Sequence, residues 1–280
     1  MSRHKQSEQL SITAVSCQDW PVIEKMFADA FQHDIYFTLM QRRLRLAQKF
    51  SCLSAKMSAL LAGNIYLLWS DNEPAGFLIL KKLGDKQMHL HYVAVAPEFR
   101  RQGLGRELTV FAINAARECG ADIFLETEAD SPAMQLYNSL GFSVDNQFPI
   151  FRLVLPAALP NEAQAAAQLI PVEEDKGIRT RAKEWLLGYK ASVLACNLPA
   201  EMPLSFHICQ PAAGSAAIIH CNLHGASNDL LYQTLPHLAL HMKNSDGAYL
   251  VVSGAVGADI VSTWLGNRIN YVTMTRKQQA

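Results

Sequence analysis

Apolar and polar positions along the chain alternate between two periods, and the switches between them mark the elements. LSITAVS, residues 10–16, alternates in period two and predicts a strand. SCQDWPVIEKMFADAFQHD then carries apolar residues at helical spacing behind a Ser/Asp start signal. A second helical run covers residues 36–62. NIYLLWS and AGFLILKK read as two strands of a hairpin around the turn residues DNEP, and KQMHLHYVAVA as a third. PEFRRQGLGREL breaks that strand with Pro and Gly and leads into a helix, RELTVFAINAAREC, closed by Gly120. A strand (DIFLETE), a short helix (SPAMQLYNSLG) and a strand (FPIFRLVL) complete the order β-α-α-β-β-β-α-β-α-β by about residue 155.

From residue 156 the pattern dissolves into PAALPNEAQAAAQ, nearly free of bulky apolar side chains, which predicts a linker over 156–168 between a domain at 1–155 and a smaller one at 169–280. The second half predicts a helix near RTRAKEWLLGYKASVLA, strands LSFHICQ and AAIIHCNL, a helix DLLYQTLPHLALHM, a strand AYLVVSG, a helix ADIVSTWLG and a strand INYVTMTRK. This repeats the second half of the first domain: Gly120-Ala121 can be laid on Gly247-Ala248 and Leu140-Gly141 on Leu265-Gly266, with one small gap. The expected fold class is therefore α/β, a mixed sheet with helices, followed by a degenerate half-repeat.

Composition changes the picture by exclusion. Half of the 280 residues are hydrophobic, enough for one large core or two ordinary ones. The 25 Lys+Arg balance 25 Asp+Glu, so no net field draws a nucleic acid or an anionic membrane. The basic cluster Arg42, Arg43, Arg45 and Lys49 reads as a solvated helix face. No apolar run approaches the roughly 20 residues that span a bilayer, and MSRHKQSEQLSI lacks the apolar stretch of a secretory signal, so a cytoplasmic protein is expected. The six cysteines form no CxxC pair, which fits reduced thiols.

Candidate chemistry concentrates in HLHYVAVAPEFRRQGLGRELTVFAINAA, where a strand runs into a glycine turn and then a helix. Gly103 and Gly105 remove side chains from the turn, so backbone N–H groups can converge at the positive helix end, a geometry suited to a phosphate or pyrophosphate. The spacing Arg100-x-x-Gly103-x-Gly105 after an apolar strand, with Tyr137-x-x-x-Gly141-Phe142 on a short helix further on, resembles the GNAT superfamily of N-acetyltransferases over about residues 10–155.

The resemblance implies acetyl-CoA as co-substrate and a set of site residues. The strand HLHYVAVA would splay from DIFLETE, with Val93, Ala94 and Val95 offering main-chain partners to the pantetheine arm. The pyrophosphate would rest on the amides of Arg101, Gln102, Gly103, Leu104, Gly105 and Arg106, and a β-branched residue at either glycine would block both the turn and the close approach. Tyr137 matches the tyrosine that protonates the departing thiolate. One departure is Asp130, seven residues earlier, where the family often has Asn.

The attacking amine must lose a proton. His89 and His91, two apart on the strand and sharing a face with Val93, are candidate bases, and HLHYVAV resembles a stretch of the serotonin N-acetyltransferases in which paired histidines act through water. Glu126 and Glu128 are the reserve. FADAFQHDIY resembles a stretch of the branch that includes the puromycin N-acetyltransferases, whose amines vary widely; the acceptor stays open between a small molecule and a peptide.

His207, Cys209, His220, Cys221 and His224 form one cluster of metal-ligand types, but neighbours on a strand point to opposite faces, so no metal is expected. The second half has HGASNDLL where a glycine turn would stand and Ser262 in the place of Tyr137. It would cover the sheet, shape the acceptor cleft or form a homodimer. Two functions remain from the sequence alone: an N-acetyltransferase working by direct attack in a ternary complex, or a non-catalytic acyl-CoA sensor.

Overall fold

A computed structural model describes residues 9–154, 169–172, 181, 184, 189–196, 204–211, 216–223, 228–242, 247–253 and 265–278. The chain divides into two compact units. The first comprises residues 1–127, 131–145 and 273–280, and the second 128–130 and 146–272. The expected linker at 156–168 lies outside the described residues. Besides the short excursion at 128–130, the chain passes between units within two long strands, β6 (Ser143–Leu153) and β12 (Leu265–Arg276), so compactness does not divide it at residue 155.

In the first unit, β1 (Leu10–Ala14), β2 (Asn64–Ser70), β3 (Glu73–Leu83) and β4 (Gln87–Val95) pair antiparallel in succession. β5 (Asp122–Glu128) follows parallel to β4. Helix α4 (Leu104–Glu118) makes the crossover, and its buried Leu104, Leu108, Ala112 and Ala116 recur every four residues. The strand order then runs β5-β12-β6. The last segment of the chain thus belongs to the first unit, whereas the sequence assigned all of INYVTMTRK to the second domain.

Helices α1 (Trp20–Phe31) and α2 (Phe37–Ser51) bury Trp20, Ile23 and Phe27 and Met40, Leu44 and Ala47 against Phe77, Ile79, Tyr92 and Ala94. The helical run expected over 36–62 is two helices. Ser54 is extended, and its Oγ accepts from the Met57 amide, which starts α3 (Ala55–Ala62) as a separate helix.

The second unit holds β7 (Leu169–Val172), β8 (Tyr189–Cys196), β9 (Ser205–Pro211), β10 (Ala217–Asn222), α6 (Asn228–His241), β11 (Ala248–Ser253) and the unit's share of β6 and β12. β10 and β11 are parallel, with α6 between them in the chain, as β4 and β5 are with α4. Phe151, Phe206, Ile219, Leu235 and Leu250 lie in its core. The helix expected over RTRAKEWLLGYKASVLA is corrected: Arg181 and Glu184 are helical, but Tyr189–Cys196 is a strand held between β7 and β9. β7 was not anticipated. ADIVSTWLG falls mostly outside the described residues, with Leu265 and Gly266 opening β12.

Candidate active site

β4 and β5 pair at Gln87 with Asp122, Met88 with Ile123 and His89 with Phe124, and no further. From Leu90 onward β4 keeps β3 on one side and has no ladder partner on the other, so the two strands part at the histidines. The Ala96 amide donates to the Ala75 carbonyl on the β3 side. By alternation, the N–H and C=O of Val95 and Val93 point into the gap and those of Ala94 toward β3. Arg100 already uses one of these groups, its Nε donating to the Val95 carbonyl at 3.1 Å.

The turn after β4 bends through Arg101, at φ 62°, and Gly103, at φ 86°. Gly103 precedes the first helical residue, so the amides of Leu104 and Gly105 fall in a first turn to which the helix offers no acceptor. The Arg106 amide differs, for it donates to the Gly103 carbonyl at 2.8 Å. The two glycines have separate reasons to exist. A side chain at Gly103 would meet open space but a left-handed backbone, whereas at Gly105 a Cβ would lie 3.6 Å from Leu136 Cδ2 and 3.9 Å from Val95 Cγ2 with no positive φ. We therefore expect Gly103→Val to cost roughly 1–2 kcal/mol in denaturant melts and Gly105→Ala to fold as the parent does. A cavity of about 290 Å³ adjoins this turn, lined by Lys25, Met26, Ala94, Val95, Glu98 and Arg100 among others.

Tyr137 stands on α5 (Pro132–Ser139), which lies beside the start of α4: Arg106 Nη1 donates to Ser139 Oγ at 3.5 Å, and Leu136 approaches Gly105. Its ring meets Phe142 at 5.7 Å between centroids. Burial pushes the phenol up to about 12, so it keeps its proton at any physiological pH. Asp130, the departure from the family pattern, falls in the second unit by compactness.

A β-bulge governs the histidines. Ile79 faces Tyr92 and Leu80 faces Leu90, leaving His91 as an extra residue on β4. Lys81 faces His89 and Phe77 faces Ala94, so His89, Tyr92 and Ala94 share the face covered by α1 and α2, while Val93, opposite Leu78, lies on the other. The expectation that Val93 shares the histidines' face is thereby corrected. The bulge also brings the His91 ring to 4.7 Å from His89 and 4.6 Å from Tyr92.

Phe124 stacks on His89 at 4.5 Å, and Glu126, two residues on along β5, takes the same face where the strands widen. Burial lowers His89 to about 4, with Lys81 adding to the effect. His91 falls to about 3, again chiefly through burial, then through His89, Lys81 and Arg43. Glu126 moves the other way, raised by burial and by the nearby Asp34 carboxylate.

Both histidines are neutral in the folded protein where an unfolded chain would bind protons. Stability is therefore complete above the ordinary histidine range, near pH 6.5, and falls as pH drops toward 4 and then 3. Thermal melts should show a steeper acid loss for the parent than for His89→Gln/His91→Gln.

In the second unit His207 faces His220 across β9 and β10, and Cys221 is buried in the core. His224 and Ser262 lie outside the described residues. Among the described residues no three His, Cys, Asp or Glu gather as metal ligands, and no helix is long and apolar enough to cross a membrane. The sequence pattern held no sign of Phe124, which stacks on His89, and marked Asp34 only as part of the Ala30-Phe31-x-x-Asp34 stretch of FADAFQHDIY, not as the carboxylate that acts on Glu126.

A family model described as the acetyltransferase (GNAT) family matches residues 23–142. The uncharacterized N-acetyltransferase YvbK of Bacillus subtilis is 30% identical over 91 residues, covering 31% of this chain and 59% of that protein. The mycothiol acetyltransferase of Pseudarthrobacter chlorophenolicus is 34% identical over 95 residues, covering 27% of this chain and 29% of its own. The chain thus spans less than two thirds of either curated relative. A solved tandem GNAT protein from the clavulanic acid biosynthesis pathway superposes with a TM-score of 0.60 at 13% identity, covering 97% of this chain and 100% of its own, a likeness of fold across both units. Splayed strands, a glycine turn at a helix start and a tyrosine helix beside it accompany these matches, and the match to the acetyltransferase (GNAT) family extends over residues 23–142.

Proposed function

We propose that the first unit binds acetyl-CoA and transfers its acetyl group to a primary amine of a small molecule or peptide, by direct attack in a ternary complex. The observation that carries this reading is the parting of β4 from β5 just past His89 and Phe124, beside a turn whose first helical amides are free of helix acceptors. The main chain of Val93 and Val95 would hold the pantetheine arm, and the amides of Arg101 to Gly105 the pyrophosphate. The side chain of Arg106 would assist, since its amide is engaged. The acetyl group would then sit where the strands separate.

The amine nitrogen attacks the thioester carbonyl, the carbon–sulfur bond breaks, the thiolate takes the Tyr137 hydroxyl proton, and the surplus proton on the acylated nitrogen leaves through water to restore the phenol. The amine's own proton has to leave first. A histidine lowered to about 3 or 4 lies far below an ordinary alkylammonium, at about 10.4, so direct transfer to it is strongly uphill. Glu126, raised above the ordinary carboxylate range by burial and Asp34 and on the same face as His89, is the better terminal acceptor, with the neutral imidazoles ordering water between. Glu126→Gln should then lower kcat and displace the acid limb of the pH–rate profile, while His89→Gln changes the rate less.

The reading expects a cytoplasmic enzyme, where acetyl-CoA is abundant. A thiol-release assay across polyamines, amino acids, aminoglycosides and peptides, on protein first shown to bind acetyl-CoA, tests it. Turnover with one amine class is expected. Tight acetyl-CoA binding with no turnover and an altered oligomeric state would instead favour the sensor.

A further inference from the structure

We infer that Arg276, 139 positions from Tyr137 in the sequence, is a positioning residue for Tyr137, so that the last strand of the chain forms part of the first unit's catalytic apparatus. This rests on the reading of Tyr137 as the proton donor.

Helix α5 has eight residues, too few to hold itself in place, and its final carbonyls have no partner further along the helix. Arg276 supplies one: its Nε donates to the Leu140 carbonyl at 2.9 Å. The contact is close enough to dictate the neighbouring residue. A Cβ at Gly141, where φ is +84°, would lie 3.3 Å from that Nε, so the guanidinium lies over the glycine itself. The turn that Arg276 grips is tied directly to the tyrosine, for the amides of Leu140 and Phe142 donate to the Tyr137 carbonyl at 3.0 and 3.1 Å, and the Phe142 ring packs on the phenol. A cation at this end also meets the negative pole of the helix.

The arginine is itself fixed. Met274 is fully buried, and the Thr275 carbonyl accepts from Ser143 Oγ at 3.2 Å. The Gln278 amide donates to Asp122 Oδ1 at 2.8 Å, and its side-chain Nε2 to the Ala121 carbonyl at 3.0 Å. The strand is therefore anchored to the start of β5 on one side and to β6 on the other, and Arg276 reaches from that frame to α5. A hydroxyl that must meet a departing sulfur within hydrogen-bond reach is sensitive to sub-ångström shifts of such a short helix.

The test compares Arg276→Gln, Arg276→Lys, Tyr137→Phe and the double variant Arg276→Gln/Tyr137→Phe in the full chain, by steady-state kinetics and thermal melts. Arg276→Gln is expected to lower kcat by roughly 10-fold or more with KM for acetyl-CoA within about 2-fold, and Arg276→Lys, which keeps a donor for Leu140, to recover part of that loss. In the Tyr137→Phe background, with no hydroxyl left to misplace, Arg276→Gln should cost less than about 2-fold. An equal loss in both backgrounds would show a purely structural role and overturn the inference, as would parent-like kcat for Arg276→Gln. If Tyr137→Phe itself turns over like the parent, the proton-donor reading fails and takes the inference with it. Should Arg276→Gln not fold, the same comparison is made with Arg276→Lys.

Discussion

Tyr137→Phe should keep the fold and the affinity for acetyl-CoA and lower kcat by roughly 10²- to 10⁴-fold, the usual range for a lost general acid. The ring packs on Phe142 and is retained by phenylalanine, so the hydrophobic contact survives. The hydroxyl, held protonated by burial at about 12, is what disappears. Loss of a proton donor should appear in kcat and kcat/KM together, because the bond to hydrogen strengthens only as charge develops on sulfur. Parent-like rates from pH 6 to 10 would show the hydroxyl to be idle.

The second large effect concerns the end of the chain. Truncation after Val272 should abolish activity and markedly lower the melting temperature of the first unit, although the glycine turn and Tyr137 are untouched. The lost segment buries Met274 and carries the donors of Arg276 and Gln278. A buried methionine and three such hydrogen bonds together contribute about 5 kcal/mol. A domain of this size has a net stability of only about 5–15 kcal/mol. The deletion also removes Thr273–Arg276, the last four residues of the strand that lies between β5 and β6. A fragment of residues 1–158 should fail for the same reason. Parent-like melting and turnover from either truncation would contradict the strand's role.

What the sequence revealed follows how local each feature is. β2, β5 and the turn at Gly103 rest on short-range patterns, and each was read in place. YKASVLAC, by contrast, combines helix-forming Ala and Leu with an alternation that only pairing to β7 and β9 turns into a strand. The bulge at His91 left no trace in HLHYVAV, where apolar and polar residues alternate straight through it, and so the histidines' face could not be assigned correctly.

INYVTMTRK is plainly a strand, yet which unit it serves depends on partners at Ala121, Asp122, Leu140 and Ser143, more than 130 residues earlier. The sequence reading expected the second half to support the first through its apolar faces. The residues from Thr273 to Gln278 belong by compactness to the first unit itself, and their described hydrogen bonds lie within it.

The central claim, a single acetyl-CoA site in the first unit around Val93 to Arg106, is tested most directly by calorimetric titration of the full chain with acetyl-CoA, alongside Gly105→Ala. One equivalent per chain is expected, with affinity weakened roughly 10-fold or more in Gly105→Ala at unchanged melting temperature, because the added methyl would occupy the space between Val95 and Leu136 beside the free amides. No binding, two equivalents per chain, or parent-like affinity in Gly105→Ala would contradict it.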